Sequence, residues 1–316
     1  MVRRLGGAAL LAAVLALGAC SLDDPPGGED RLSIATGGSG GVYQLYGGGL
    51  ADLMTDELDP TTAETTSASV DNLILVGNGD TDIAFTLADT AIDAVKGTAG
   101  FDAPEPVLAL ATLYPNITQV VVKADSPIRR LEDMRDKTVS VGSPNSGTEV
   151  IALRLLEVAG FDPDEDIESR GLGVGESVAA LRDGTIDAFF WSGGVPTAGI
   201  TDLATTDEVR LLALDGYLAK MRERYGEAYA PAEVEKGEYE GVAGAKTIGV
   251  PNLLMVNRAM PEDLAYRITK LLYGGRERLA AVHPAAESLD PAKGKEVVTP
   301  VKLHPGAERF YAEAGR

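Results

Sequence analysis

A run of glycine and serine, Gly37-Gly38-Ser39-Gly40-Gly41, separates a short apolar segment, Leu32–Thr36, from an amphipathic segment beginning at Tyr43. The chemistry open to such a run is anion binding. A helix N-terminus presents unpaired N–H groups and about half a positive charge, and glycine lets a ligand reach them without meeting a Cβ. Thr36 and Ser39 add hydroxyls. A diluted copy lies 105 residues downstream, where strand Thr138–Gly142 leads through Ser143-Pro144-Asn145-Ser146-Gly147 into helix Thr148–Ala159. Each copy later reaches a strand opening with an aspartate, Asp82-Ile83-Ala84-Phe85 and Asp187-Ala188-Phe189-Phe190, and 45 residues separate Gly37 from Asp82 and Gly142 from Asp187. These aspartates suit bracing of their strands. The loops could be no more than tight strand-to-helix turns, but their repetition favours two lobes that each aim a helix N-terminus at one ligand. Neither loop holds Lys or Arg, so such a clamp would work through dipoles and hydrogen bonds.

Three sharper chemistries fail on spacing. No Gly-Lys-Ser/Thr follows the first loop, so it is not a phosphate-binding P-loop, and Tyr43 occupies the last position of a would-be GxGxxG. Gly37–Gly41 formally matches the nucleophile elbow GxSxG, with Ser39 as nucleophile. That elbow normally follows several strands, whereas here it follows the first. A base would also be needed, and the only histidines, His283 and His304, each precede a proline. One cysteine and two scattered histidines give no metal-ligand pattern, and no cofactor is implied.

The 316 residues are 45% hydrophobic, enough for one or two globular domains. A net charge of −20 argues against nucleic acid and against docking to anionic lipid, both of which need basic patches. Arg3-Arg4 and the 13 mostly apolar residues Leu5–Leu17 read as a signal segment too short to span a bilayer comfortably. It ends at Leu17-Gly18-Ala19-Cys20, which resembles the lipobox of bacterial lipoproteins. Residues 1–19 then form a signal peptide and Cys20 takes a diacylglycerol whose two chains anchor it stably. Residues 20–30 form a polar tether. The expected location is outside the cytoplasm, on the cell membrane, at the cell surface or in the periplasm.

Positioning the two loops requires alternating strands and helices, hence α/β lobes with largely parallel sheets. The pattern predicts helix Tyr43–Leu58, a polar strand around Thr62–Thr66, helix Val70–Gly77 capped by Ser69, strand Asp82–Leu87 and helix Ala88–Val95. Val107–Leu113 reads as a buried strand and Gln119–Lys123 as a separate crossing strand. Helix Glu176–Arg182, strand Ala188–Trp191, helix Pro196–Ala204 and strand Val209–Leu214 follow, while Gly216–Gly244 is weakly periodic. Thr247–Asn257 returns towards the first lobe, and Pro261 opens one long helix to about Val282. Two crossings predict a hinge: lobe I is 31–117 plus 248–316 and lobe II is 118–247.

The segments Ala35–Tyr43, Ser69–Leu73, Asp82–Phe85, Leu113–Pro115, Val139–Val150, Gly184–Pro196, Ile248–Pro251 and Leu303–Tyr311 resemble, in order and spacing, the TAXI-type solute-binding proteins of tripartite ATP-independent periplasmic (TRAP) transporters. The resemblance implies a type II-like periplasmic-binding-protein clamp with two α/β lobes joined by crossing hinge strands. It further implies a monomeric receptor, not an enzyme, that hands a small anionic or zwitterionic carboxylate to membrane permease subunits. Glutamate, glutamine and C4–C5 dicarboxylates are the implied class. By motif position, Thr36, Gly37, Gly38, Ser39, Gly41, Val42 and Tyr43 would bind it from the first loop, Ser67 and Ser69 from the next turn, and Tyr114 from the hinge side. The second lobe would add Ser143, Asn145, Ser146, Gly147, Thr148 and Glu149, with Trp191, Gly194 and Pro196 on its far wall. Tyr43, Tyr114 and Trp191 equally suit core packing. Gln44-Leu45 stand where a Tyr-Pro pair is common, which bears on the ligand more than on the class. A sensory subunit with the same clamp, and an extracytoplasmic hydrolase using Ser39, are the alternative readings.

Overall fold

The computed structural model describes residues 31–315, so the expected signal peptide, Cys20 and the tether lie outside the described residues. The first half runs β1 (Leu32–Ala35), α1 (Val42–Glu57), β2 (Thr61–Glu64), α2 (Ser69–Asn78), β3 (Ile83–Leu87) and α3 (Ala88–Lys96). The long strand β4 (Val107–Lys123) leaves it. The second half comprises β5 (Thr138–Ser140), α4 (Gly147–Val158), β6 (Glu168–Arg170), α5 (Val174–Asp183), β7 (Ala188–Gly193), α6 (Ala198–Thr206), β8 (Val209–Leu211), α7 (Leu218–Tyr225) and β9 (Ala230–Val234). Strand β10 (Ala245–Asn257) returns, and α8 (Glu262–Gly274), α9 (Arg276–Val282), α10 (Pro291–Gly294) and α11 (Pro305–Ala314) finish the chain.

The strands join in the order β2-β1-β3-β10-β4-β7-β5-β6, with β8 on β4 and β9 on β10. The sheet is mixed, not largely parallel as expected. Parallel triplets β2-β1-β3 and β6-β5-β7 occupy its ends, and β10 and β4 run antiparallel between them. Parallel pairing needs a crossover helix, which the repeated strand-helix units supply. The β10–β4 pair needs none, because the chain comes back from the second half in the opposite direction.

The 105-residue repeat is visible in the register. Ile34 faces Ile83 and Ala35 faces Ala84, while Val139 faces Ala188 and Ser140 faces Phe189. Helices α2 and α5 are displaced by the same interval, and each ends on a left-handed glycine, Gly79 (φ 81°) and Gly184 (φ 72°). The aspartates before β3 and β7 are braces. A carboxylate oxygen of Asp82 accepts from the Ser33 N–H at 2.8 Å, and one of Asp187 from the Thr138 N–H at 3.0 Å. Neither aspartate reaches the interior of the cleft described below.

Several boundaries depart from expectation for identifiable reasons. The segments read as two strands, Val107–Leu113 and Gln119–Lys123, form the single 17-residue β4. Between them Pro115 stands opposite Pro251, where neither residue can donate, and the register shifts beside this pair. The expected helix from Pro261 to Val282 divides at Gly274–Gly275, where a Cβ on Gly275 would lie 2.1 Å from Leu53 Cδ2 of α1. Ser69 is the first residue inside α2 and does not cap it; its hydroxyl accepts from the Leu87 N–H at 3.2 Å. The weakly periodic stretch holds α7 and β9, and β6, α10 and α11 went unread.

Both histidines begin helical turns. His304 Nδ1 accepts from the Gly306 N–H at the start of α11 (3.2 Å), so Nε2–H donates to the Met260 carbonyl (3.1 Å). Burial holds this imidazole below its ordinary pKa of 6.5. The unfolded chain therefore takes up the proton more readily, and stability falls as the pH drops below about 6.5. His304→Asn keeps a capping oxygen without a titrating group and is expected to flatten that loss in thermal unfolding between about pH 7 and 5. An unchanged slope would show that the cap does not carry it.

Candidate functional site

A cavity of about 430 Å³ opens between the two halves. Its floor is formed by Tyr114 and Asn116 of β4 and Trp191–Gly193 of β7, and four helices point their N-termini towards it: α1 from Gly41, α2 from Ala68, α4 from Ser146 and α5 from Gly173. Both glycine-serine loops therefore border one space. Gly38 projects into the open, since a Cβ placed there would meet nothing within 4 Å. Gly41 lies against Trp191 from the other half, with 3.4 Å between its would-be Cβ and the indole.

Of the residues expected at the site, Gly37, Gly38, Ser39, Gly41, Val42, Tyr43, Ser67, Ser69, Tyr114, Ser143, Ser146, Gly147, Thr148 and Trp191 line the cavity. Five do not. Thr36 is fully buried beneath α1, where its methyl packs at Gly47, and its hydroxyl donates to the Glu64 carbonyl. Asn145 is exposed with φ 62°; its carbonyl accepts from the Val70 N–H at 3.1 Å and its N–H donates to Glu149 at 2.8 Å. Glu149 is thereby committed to its own loop, and burial raises its carboxyl pKa. Gly194 packs on Val42, and exposed Pro196 lies outside the lining.

Sequence reasoning missed Asn116, Ser192 and the whole approach to α5, Gly173-Val174-Gly175-Glu176. The repeat could have found the last group, because Ser67–Ser69 displaced by 105 residues falls on Leu172–Val174. Asn116 carried no local signal. It belongs to a buried chain: Tyr43 O–H donates to Asn252, the Asn252 amide donates to Asn116 at 2.8 Å, and the Asn116 amide donates to the Ser192 carbonyl at 3.1 Å. The chain passes from α1 through both central strands to β7. Burial drives the Tyr43 phenol pKa well upward, so it stays a neutral donor. Tyr114 and Ser192, 3% and 6% exposed, have hydroxyls with no hydrogen-bond partner among the described residues. Such groups are costly to bury unpaired.

The two walls touch around the cavity. A Cβ on Gly147 would sit 2.6 Å from both Leu87 Cδ1 and Ser69 Oγ. Behind this contact Arg154 of α4 reaches Asp93 (2.5 Å) and Asp89 (3.4 Å) of α3, and both Arg154 and Asp89 bond Tyr229. The arrangement is a cleft whose walls meet at these contacts and which stays partly open to solvent, roomy enough for a small guest. Among the described residues no His/Cys/Asp/Glu group could hold a metal, and no helix is long and apolar enough to cross a membrane.

The profile of the NMT1-like family matches residues 34–315, nearly everything from β1 to the last helix. The chain belongs to the NMT1-like family. Solved structures show the same fold at low identity. A protein of Bordetella bronchiseptica RB50 is 18% identical, with a TM-score of 0.54 over 89% of this chain and 88% of that one. The periplasmic aliphatic sulphonate binding protein SsuA of Escherichia coli is 17% identical, with a TM-score of 0.51 over 90% and 82%. A chain from work on glutathione import via GshT and the cystine ABC importer TcyBC of Streptococcus mutans is 12% identical, with a TM-score of 0.50 over 80% and 93%. The family member described here thus has the mixed α/β fold of periplasmic binding proteins.

Proposed function

We propose that this protein is an extracytoplasmic solute-binding receptor that closes over a small carboxylate and delivers it to a membrane permease. The observation that carries the reading is the cavity between the halves, bordered by both copies of the repeated loop and by four helix N-termini. Lobe I is 31–117 plus 248–316 and lobe II is 118–247, hinged at β4 and β10. Family membership supports the reading, as does a fold shared with proteins described as an aliphatic sulphonate binder and as part of glutathione import. Assignment to a TRAP permease rests on the ordered motifs from Ala35 to Tyr311, and attachment through lipid on Cys20 rests on the lipobox. A hydrolase using Ser39 would lack its base, because His283 Nδ1 and His304 Nδ1 accept from the Ala285 and Gly306 N–H groups and neither ring borders the cavity.

Trp191 is the sole tryptophan and stands at the cavity wall, so its fluorescence should report ligand directly. Titration of the purified protein with mono- and dicarboxylates is expected to give a saturable change, with a parallel rise in thermal midpoint. Gly38→Leu fills space in the cavity and should weaken binding at least about tenfold, roughly 1.4 kcal/mol, with little change in the unliganded midpoint. Carboxylate affinity identical in the variant, or no response to any carboxylate, would remove the proposal.

A further inference from the structure

We infer that Thr197 and Gly193 are positioning residues that hold the Trp191 indole in one orientation, as the wall on which the first glycine loop closes around a guest. The inference rests on the receptor reading and adds to it the device that shapes one side of the cleft. Trp191 stands on β7 in the second half and borders the cavity. Its Cη2 atom lies 3.4 Å from a Cβ placed on Gly41, which belongs to the first half. The ring therefore spans the gap between the halves, and its orientation decides how near the loop can come.

Two contacts on its own side fix that orientation. Trp191 and Gly193 are two residues apart on β7 and share a face of the strand. A Cβ on Gly193 would stand 2.5 Å from the indole Nε1, 2.6 Å from Cε2 and 2.7 Å from Cζ2, so the ring lies across the bare Cα. Gly193 has no left-handed backbone angle, and glycine is needed there for the ring rather than for the chain. The second contact is the indole N–H, which donates to Thr197 Oγ1 at 2.8 Å. Thr197 occupies the N-cap of α6, where a threonine oxygen ordinarily accepts from the N–H groups of its helix. This hydroxyl makes no capping bond. It takes the indole N–H instead and donates its own proton to the Gly194 carbonyl at 2.7 Å. Thr197 is itself 1% exposed, and its N–H donates to the Tyr239 hydroxyl at 3.1 Å. A buried cap that leaves its helix unserved to hold one side chain is placed for that side chain. Trp191 is only half-buried, so without the bond its ring could turn into the cleft, and a wall that must be reordered weakens binding.

The test reads the ring by Trp191 emission and acrylamide quenching, and affinity by calorimetry, on the purified protein with glutamate and 2-oxoglutarate as probes. Thr197→Val keeps the shape of the side chain and removes the acceptor. Its unliganded emission should shift, acrylamide should quench it more strongly, and affinity should fall about tenfold or more. Thr197→Ser keeps the hydroxyl and should hold its affinity within about twofold of the unaltered protein, with the emission restored. Gly193→Ala displaces the ring from beneath and should bring a loss of the same size. Because both changes act through one ring, the double variant should lose about as much as the worse single one, not the product of the two. Unmoved emission in both single variants would overturn the inference, as would moved emission with unaltered affinity, or losses that multiply in the double variant. A lowered thermal midpoint with emission and affinity unaltered would leave Thr197 a structural role only, and overturn it too. If neither probe binds the unaltered protein, the carboxylate-receptor reading fails, while the unliganded emission of the variants still decides whether these two residues hold the ring.

Discussion

Gly147→Leu is expected to weaken carboxylate binding by at least about a hundredfold, close to 3 kcal/mol, while the unliganded protein keeps its thermal stability. The reason is local to the cleft. The first side-chain carbon alone would stand 2.6 Å from Leu87 and from Ser69, and both belong to the opposite half. A leucine cannot be housed there unless the halves separate. Within its own helix the change is tolerated, because Gly147 is the first residue of α4 and has no left-handed backbone angle to lose. The variant should therefore fold and stay open. Calorimetry supplies the affinity, and small-angle scattering should find no ligand-induced contraction. Full affinity with normal contraction would mean that contact at Gly147 plays no part in closure.

The second large effect is expected at Arg154. Its guanidinium is about nine-tenths buried and stacks over the Tyr225 ring at 4.7 Å while bridging Asp93 and Asp89. Burial opposes that charge, but Tyr229, Asp89 and Asp93 outweigh burial and hold the group cationic. Arg154→Met leaves two acids side by side without a counter-charge, which typically costs 3–5 kcal/mol, read as a large drop in denaturation midpoint. The loss should be pH-dependent. Burial already pushes the Asp93 carboxyl upward against the pull of Arg154, and without Arg154 it rises further. A carboxyl whose folded pKa exceeds its unfolded value of about 3.9 favours the folded state at low pH, and that benefit is lost as the pH climbs through the folded pKa. The variant should thus regain stability as pH falls from about 7 towards 4, and Asp93→Asn added to it should restore part of the loss at neutral pH. A midpoint unchanged at every pH would show that the ion pair contributes nothing.

What could be read in the residues beforehand follows from how local the signals are. Glycine-rich turns, apolar strands and the aspartate braces are encoded within a few positions, and the 105-residue repeat compares them with themselves, so the paired modules were legible. Asn116 and Asn252 act through partners 76 and 136 residues away, Ser192 and Asn116 respectively, and nothing near either residue announces this. The continuity of β4 was hidden by Pro115, a residue that ordinarily breaks a strand and here faces a second proline at a register shift. A further feature of the helix starts around the cavity is subtler. Glu149 and Glu176 follow their helix starts in the sequence, but only folding shows that each turns back onto its own loop.

The placement of β10 beside β3 carries a consequence for how this chain is made. Ile83–Leu87 is buried throughout, flanked by β1 on one side and by Asn252–Val256 on the other. A polypeptide emerging from its amino end must therefore carry an unpaired apolar edge through more than half its synthesis before the matching residues appear. Bare edges of this kind invite pairing with other chains. Shielding of that edge until the carboxyl-terminal third arrives is what this topology demands.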